Sequence, residues 1–246
     1  MNYFCLTDTG RVRKDNQDTA YAKIINDNTA LFIVADGMGG YQGGKLASSL
    51  AVSTISSAIE KSFNSDMKND EIYELLQHAI REANSKVYSK AMEEETLNGM
   101  GTTVVVAFIK DKTLYTASVG DSREYLFTSN RLYQITNDHS LVADLVSKGI
   151  ITTEEAKSHS QKNVITRAVG SEDTVIADAF INELGSGDIV LICSDGLHTM
   201  VSDDDIASVL RQDFDNAAHT LLKMANDNGG NDNISVITVK ISNEVK

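Results

Sequence analysis

TTVVVAFIKDKTLYTASVGDSREYLFTSNRLYQIT, residues 102–136, is the stretch that decides the fold. It divides into four short strands, Thr102–Ile109, Thr113–Val119, Arg123–Phe127 and Arg131–Ile135. Lys110-Asp111-Lys112 and Thr128-Ser129-Asn130 are breaks of hairpin length. Upstream, Asn2–Asp8, Thr19–Ile25 and Ala30–Ala35 read as further strands. Downstream, Val175–Ile181, Ile189–Cys193 and Ile234–Ile241 do the same. Two long helical stretches separate the first strands from the middle. One carries Leu46, Leu50, Ile55, Ile59 and Phe63 at steps of four or five. The other repeats Ile72, Leu76, Ala79, Ala83 and Val87 at helical spacing. Asp70 stands where an N-cap belongs, and Glu71 and Glu74 suit a first turn. Each helix has one apolar face and so should lie against a sheet. Ser140–Lys148, Thr152–His159, Asp203–Arg211 and Asn216–Asn226 read as shorter helices. Clustered strands with grouped helices predict an α+β fold, a layered sandwich with helices outside, rather than an alternating parallel sheet.

Composition narrows the function classes. The 246 residues hold 22 Lys and Arg against 35 Asp and Glu, a formal charge of −13. Such a surface repels nucleic acid and anionic lipid. The longest apolar runs, Ala30–Ala35 and Val104–Ile109, fall far short of the roughly 20 residues that a membrane span needs. Met1–Asp8 has neither the basic start nor the long apolar stretch of a signal peptide. Cys5 and Cys193 make no disulfide framework and no zinc spacing, and read as small buried hydrophobes. A cytoplasmic protein without membrane insertion is the expectation. Proline is absent altogether, so turns must come from Gly, Asn and Asp.

The chemistry lies in acids at strand tips. Asp36-Gly37 ends the apolar run Leu31–Ala35, and Asp195-Gly196 follows Ile189–Cys193 and Ser194. Asp121 follows Leu114–Val119, in Gly120-Asp121-Ser122-Arg123. Asp232 precedes the last strand, in Gly229-Gly230-Asn231-Asp232-Asn233. Taken singly, each reads as a turn residue. A carboxylate at a buried strand tip is costly unless a positive group faces it, and four placed alike beside glycines suggest one site. Carboxylates without His or Cys suit Mg²⁺ or Mn²⁺, and two such ions can clamp a displacement at phosphorus. Arg13 is the candidate phosphate anchor, since a guanidinium matches phosphate oxygens in pairs.

These segments resemble the bacterial type 2C metal-dependent Ser/Thr protein phosphatases, the PPM family. The matching motifs come in that family's order. They are Arg13-Lys14-Asp15-Asn16-Gln17-Asp18, Val34-Ala35-Asp36-Gly37-Met38-Gly39-Gly40, Gly99-Met100-Gly101-Thr102-Thr103 and Val119-Gly120-Asp121-Ser122-Arg123. Asp138-His139-Ser140, Cys193-Ser194-Asp195-Gly196-Leu197 and Asp232-Asn233-Ile234-Ser235 complete the set. The resemblance implies a four-layer αββα domain over residues 1–246, a central antiparallel β-sandwich flanked by helical hairpins, with a flap at about 140–170. It implies two Mn²⁺ or Mg²⁺ ions in the core site and a third position that binds more weakly. Asp36 would bridge the pair, Gly37 would offer its carbonyl to the second ion, and Asp195 and Asp232 would complete the first ion's shell. Asp121 with Asp195 would hold the third. Asp18 would act through metal-bound water, and Arg13 would grip the phosphate.

The activity so implied is hydrolysis of phosphoserine and phosphothreonine in proteins by a metal-bridging hydroxide, opposing a bacterial Ser/Thr kinase. A monomer is expected. The competing reading is a non-catalytic, metal-stabilised signalling module of the same fold. Two positions depart from the pattern. Met38 replaces the His of eukaryotic members, which leaves the general acid open, and Gln17 replaces a Glu found in some members. His139 reads as a turn residue beside the flap, and His78 as a solvated helix residue.

Overall fold

The computed structural model describes residues 1–242, with side chains at all of them except Tyr41 and Gln42. The chain opens with β1 (Asn2–Asp8), β2 (Asp18–Asn26) and β3 (Thr29–Met38), followed by α1 (Gly40–Ser62) and α2 (Asn69–Glu93). β4 (Gly101–Thr102), β5 (Val104–Lys110), β6 (Thr113–Val119), β7 (Arg123–Thr128) and β8 (Arg131–Gln134) form the middle. The excursion holds α3 (Leu141–Ser147) and α4 (Thr153–Ser158). Then come β9 (Asp178–Glu183), β10 (Ile189–Cys193), α5 (Asp195–His198), α6 (Asp203–Gln212), α7 (Phe214–Asp227) and β11 (Ile234–Lys240).

Two sheets form, ordered β1-β11-β10-β7-β8 and β2-β3-β5-β6-β9, with β4 added to β3. Every strand pair is antiparallel. The period-two pattern of the strands explains three apolar layers. Phe32, Val34, Val105, Ala107, Val190, Ile192 and Ile237 meet between the sheets. Leu31, Ile33, Val106 and Phe108 face α1 and α2. Leu191, Cys193 and Val236 face α6 and α7. The fold is therefore α+β in four layers, as the strand clustering predicts.

Several element boundaries differ from expectation, three of them instructively. Asp70 is not the N-cap of α2: the helix starts at Asn69, and Asp70 lies inside its first turn. The Lys68 N–H donates instead to Glu71 (2.8 Å). β9 begins at Asp178 rather than Val175. Val175 and Ala177 are buried against α2, and the Gln77 and Asn84 amides donate to carbonyls of residues 172–177, so this segment pairs with a helix and not with a strand. α7 begins two residues early, at Phe214, because Asp213 caps it by accepting from the Asp215 N–H (3.2 Å).

One polar group interrupts the inter-sheet core. Glu124 on β7 is fully buried and accepts a hydrogen bond from Thr116 on the facing sheet, while its Oε1 has no partner among the described residues. Burial pushes its carboxyl up to about 8. The folded state thus retains a proton that the unfolded chain gives up near pH 4.5. The resulting stability is present at low pH and is lost as pH rises through that interval. Glu124→Gln should match the parent at pH 5 and exceed its melting temperature by about 5–10 °C at pH 9. Parallel thermal melts at the two pH values check this, and an equal gain at both would refute it.

Candidate metal centre

The antiparallel order brings the C-terminal ends of β3, β6 and β10 and the N-terminal ends of β2 and β11 to one end of the sandwich. Asp18 and Asp36 are direct cross-strand partners there. They continue the inward-facing rows of Ala20 and Val34, so both carboxyls enter the space between the sheets. Asp121 lies in the turn after β6, Asp195 opens α5, and Asp232 stands just before β11.

Backbone contacts fix these positions. The Asp36 N–H donates to Thr103 Oγ1 (2.9 Å), and its carbonyl accepts from the Thr103 N–H (2.8 Å) and Thr102 Oγ1 (2.8 Å). This is why the strand expected over Thr102–Ile109 divides at Thr103. Asn233 clamps the loop between β1 and β2. Its Oδ1 accepts from the Gln17 N–H (2.8 Å), and its Nδ2 donates to the carbonyls of Thr9 (2.9 Å) and Asp15 (3.0 Å). Ser194 Oγ donates to Asp18 Oδ2 (2.7 Å), tying the two sheets together beneath the site. Gln17 spends its amide on the Gly40 carbonyl (2.9 Å).

Electrostatics show that the carboxylates converge. Burial, and then the charges of Asp18, Asp195, Asp232 and Asp121, hold Asp36 well above the usual carboxylate range. Burial raises Asp18 to about 7 against the Ser194 and Ser235 hydroxyls. Burial, followed by the Asp195 charge, takes Asp121 to about 7. Burial, followed by the Asp232 charge, takes Asp195 to about 6. Arg13 is the one cation paired with this group among the described residues. Its Nη2 donates to Asp232 Oδ2 (2.7 Å), and its side chain is 54% exposed at the rim. Five acids against one guanidinium leave a large unbalanced charge.

The donor set fits hard divalent cations. Every candidate ligand is an oxygen, and Asp18 Oδ1 and Asp195 Oδ1 are buried without a partner among the described residues. No three His, Cys, Asp or Glu side chains among the described residues stand in an ion-holding arrangement. Asp36 and Asp195 lie within hydrogen-bond reach of each other instead. Side-chain rotation of these two acids would open the cage, since the backbones that carry them are already fixed. Gly37 occupies its expected place beside Asp36, where β3 passes against the start of α1.

The histidines resolve differently. His78 is exposed on α2, as expected. His139 is buried beside Gly120, and His198, to which the sequence motifs assigned nothing, touches the Asp121 carbonyl. Neither contact has a local sequence signal. Asn233 and Ser194 were visible as motif members, but their clamping roles depend on residues about 175 to 225 positions away.

Comparison with known proteins decides the family. The "Protein phosphatase 2C" family model matches residues 10–236. This chain belongs to the protein phosphatase 2C family. The phosphatase is 39% identical over 236 residues to "Serine/threonine phosphatase stp" of Listeria welshimeri, covering 95% of this chain and 93% of that one. It is 37% identical to "Protein phosphatase PhpP" of Streptococcus pneumoniae, over 99% of both chains. Among solved structures it superposes with a TM-score of 0.86 on the catalytic domain of the serine threonine protein phosphatase PstP in complex with two manganese ions, at 34% identity and 98% coverage of both chains. The phosphatase is thus an enzyme, and the catalytic reading prevails over the signalling module. No helix among its described residues is long and apolar enough to cross a membrane.

Proposed function

We propose that this phosphatase hydrolyses phosphoserine and phosphothreonine in proteins with the help of Mn²⁺ or Mg²⁺ held by the acids at the end of its sandwich. The observation that carries the reading is the placement of Asp36, paired across the strands with Asp18 at the end of the sandwich where the β6–β7 turn, the start of α5 and the approach to β11 bring Asp121, Asp195 and Asp232. Asp36, Asp195 and Asp232 would hold one ion, and Asp36 with the Gly37 carbonyl the second. Asp121 and Asp195 would hold an outer, weaker third. Bound there, the cations supply Lewis acidity toward the phosphoryl oxygens and lower the pKa of water.

The chain's own groups do the rest. Asp18, held by Ser194, presents its free Oδ1 to the cluster and can orient a water there. Arg13, already poised on Asp232 at the rim, can turn its guanidinium to two phosphate oxygens. The excursion 140–170, tied at its base by hydrogen bonds from the Leu141 N–H to the Val164 carbonyl (2.9 Å) and from the Thr166 N–H to the His139 carbonyl (2.9 Å), stands beside this mouth as the surface that would select substrates. Relatives named serine/threonine phosphatases support the substrate class. The biological setting in this reading is a cytoplasmic monomer, one domain over residues 1–246, opposing a bacterial Ser/Thr kinase.

Hydrolysis of a phosphothreonine peptide, with Mn²⁺ and with excess chelator, tests the proposal. The parent should turn over only with Mn²⁺, and Asp195→Asn should be inactive in both conditions. Turnover that survives chelation, or equal rates in the two proteins, would overturn it. Arg13→Ala should raise the KM for the peptide about 10- to 100-fold, the loss of about 1–3 kcal/mol in a charge-assisted pair, with little change in melting temperature. A large fall in melting temperature would mark Arg13 as structural instead.

A further inference from the structure

The backbone of Gly120 and Asp121 is held from two sides by histidines that the mechanism above does not use. The Gly120 N–H donates to His139 Nδ1 (3.0 Å), and the His139 N–H returns a bond to the Gly120 carbonyl (2.9 Å). On the other side, the Asp121 carbonyl lies 3.0 Å from His198 Nε2. A backbone N–H can only donate and a carbonyl can only accept, so both tautomers are fixed. His139 keeps Nδ1 bare and carries its proton on Nε2, which lies 3.3 Å from Asp178 Oδ2. His198 must carry a proton on Nε2. Asp178 is held in turn by Arg167 Nη1 (2.7 Å).

The placement of His198 gives this grip its consequence. It ends α5, the four-residue helix that Asp195 begins, so its side chain ties that helix to the backbone of Asp121. Both acids lie at the same end of the sandwich, Asp121 in the turn after β6 and Asp195 at the start of α5. Gly120 leaves the loop little freedom to yield. Its φ is +102°, and an added Cβ would stand 2.6 Å from Thr103.

We infer that His198 and His139 are positioning residues that hold the Asp121 carboxylate against Asp195 and thereby set the affinity of the outer cation position. This rests on the metal reading proposed above. The two histidines use different ring nitrogens, and this gives the test its form. Asn places an acceptor near the Nδ1 position, and Gln places a donor near the Nε2 position. His139→Asn and His198→Gln should therefore preserve the grip, whereas His139→Gln and His198→Asn should break it.

The readout is calorimetric titration of the full-length protein with Mn²⁺, where the parent should show a tight phase and a weaker one. Asp121→Ala should remove the weaker phase. His139→Gln and His198→Asn should weaken that phase about tenfold, the worth of one lost hydrogen bond, and leave the tight phase in place. His139→Asn and His198→Gln should stay within about threefold of the parent. Circular dichroism identifies folded variants, and either crossed pair decides alone if a member of the other does not fold. Equal effects of Asn and Gln at both positions, or no effect at either, would overturn the inference. A parent with a tight phase and no weaker one would overturn it while leaving the two-ion reading intact, and a parent that binds no Mn²⁺ would remove both.

Discussion

Asp36→Asn should lower phosphopeptide hydrolysis at least about a thousandfold while raising the melting temperature of the metal-free protein. Both effects have one cause. Asp36 is the carboxyl on which Asp18, Asp195, Asp232 and Asp121 all act. The amide keeps its shape and its backbone bonds to Thr102 and Thr103 while removing the charge at the centre of that repulsion. A gain of about 3–5 °C in chelator-treated protein is expected. In saturating Mn²⁺ the order should reverse, because the parent gains the linkage stabilisation of its bound ions and the variant loses most of it. Differential scanning calorimetry in the two buffers, beside a turnover assay, reads all three outcomes. A variant that melts well below the parent without metal would contradict the charge argument.

Gly37→Ala should be among the most damaging additions of a single methyl group at the site. A Cβ at Gly37 would stand 2.0 Å from the Gly44 carbonyl oxygen and 2.8 Å from that of Gln17, and both are backbone atoms with no rotamer to escape into. Either β3 or the first turn of α1 must move, which would displace Asp36. A loss of about 2–4 kcal/mol is expected, seen as a fall of about 10 °C in melting temperature, with activity down at least a hundredfold. Gly149→Ala is the control. Its Cβ meets nothing within 4 Å, and only the left-handed φ of +67° stands against it, at about 1 kcal/mol. A loss at Gly37→Ala no larger than that at Gly149→Ala would show that small backbone shifts relieve the close approach at 37.

The four layers were legible because they rest on local pattern. Alternation along β5 and β10 and the 3.6-residue repeat of α2 carry the core, and hairpin-length breaks order the middle strands. The acids at strand tips were legible for a related reason. An acid at the end of five apolar residues contradicts its surroundings unless something distant answers it; Asp36 follows such a run directly, and Asp195 follows one after Ser194. What escaped was set by contacts remote in sequence. Val175 and Ala177 have strand character, yet the side-chain amides of α2 claim neighbouring carbonyls before β6 can. Asp70 looks like a better cap than Lys68, but Glu71 supplies the bond from inside the helix. α5 is a single turn, too short to show any period. His139 and His198 act through single ring atoms on the backbone of two adjacent residues, and no spacing rule announces that.

The pairing of β1 with β11, in register from Asn2 with Lys240 to Asp8 with Ile234, sets when this enzyme can come alive. The floor of the proposed reaction chamber is stitched from segments far apart in the chain, with Asp18 bound to Ser194 and the loop before β2 clamped by Asn233. A chain still on the ribosome, or cut short anywhere ahead of Asp232, has no half-built version of the chamber to work with. Termination ahead of Asp232 therefore yields silent fragments rather than poorly regulated ones, and dephosphorylation begins only once β11 has been made.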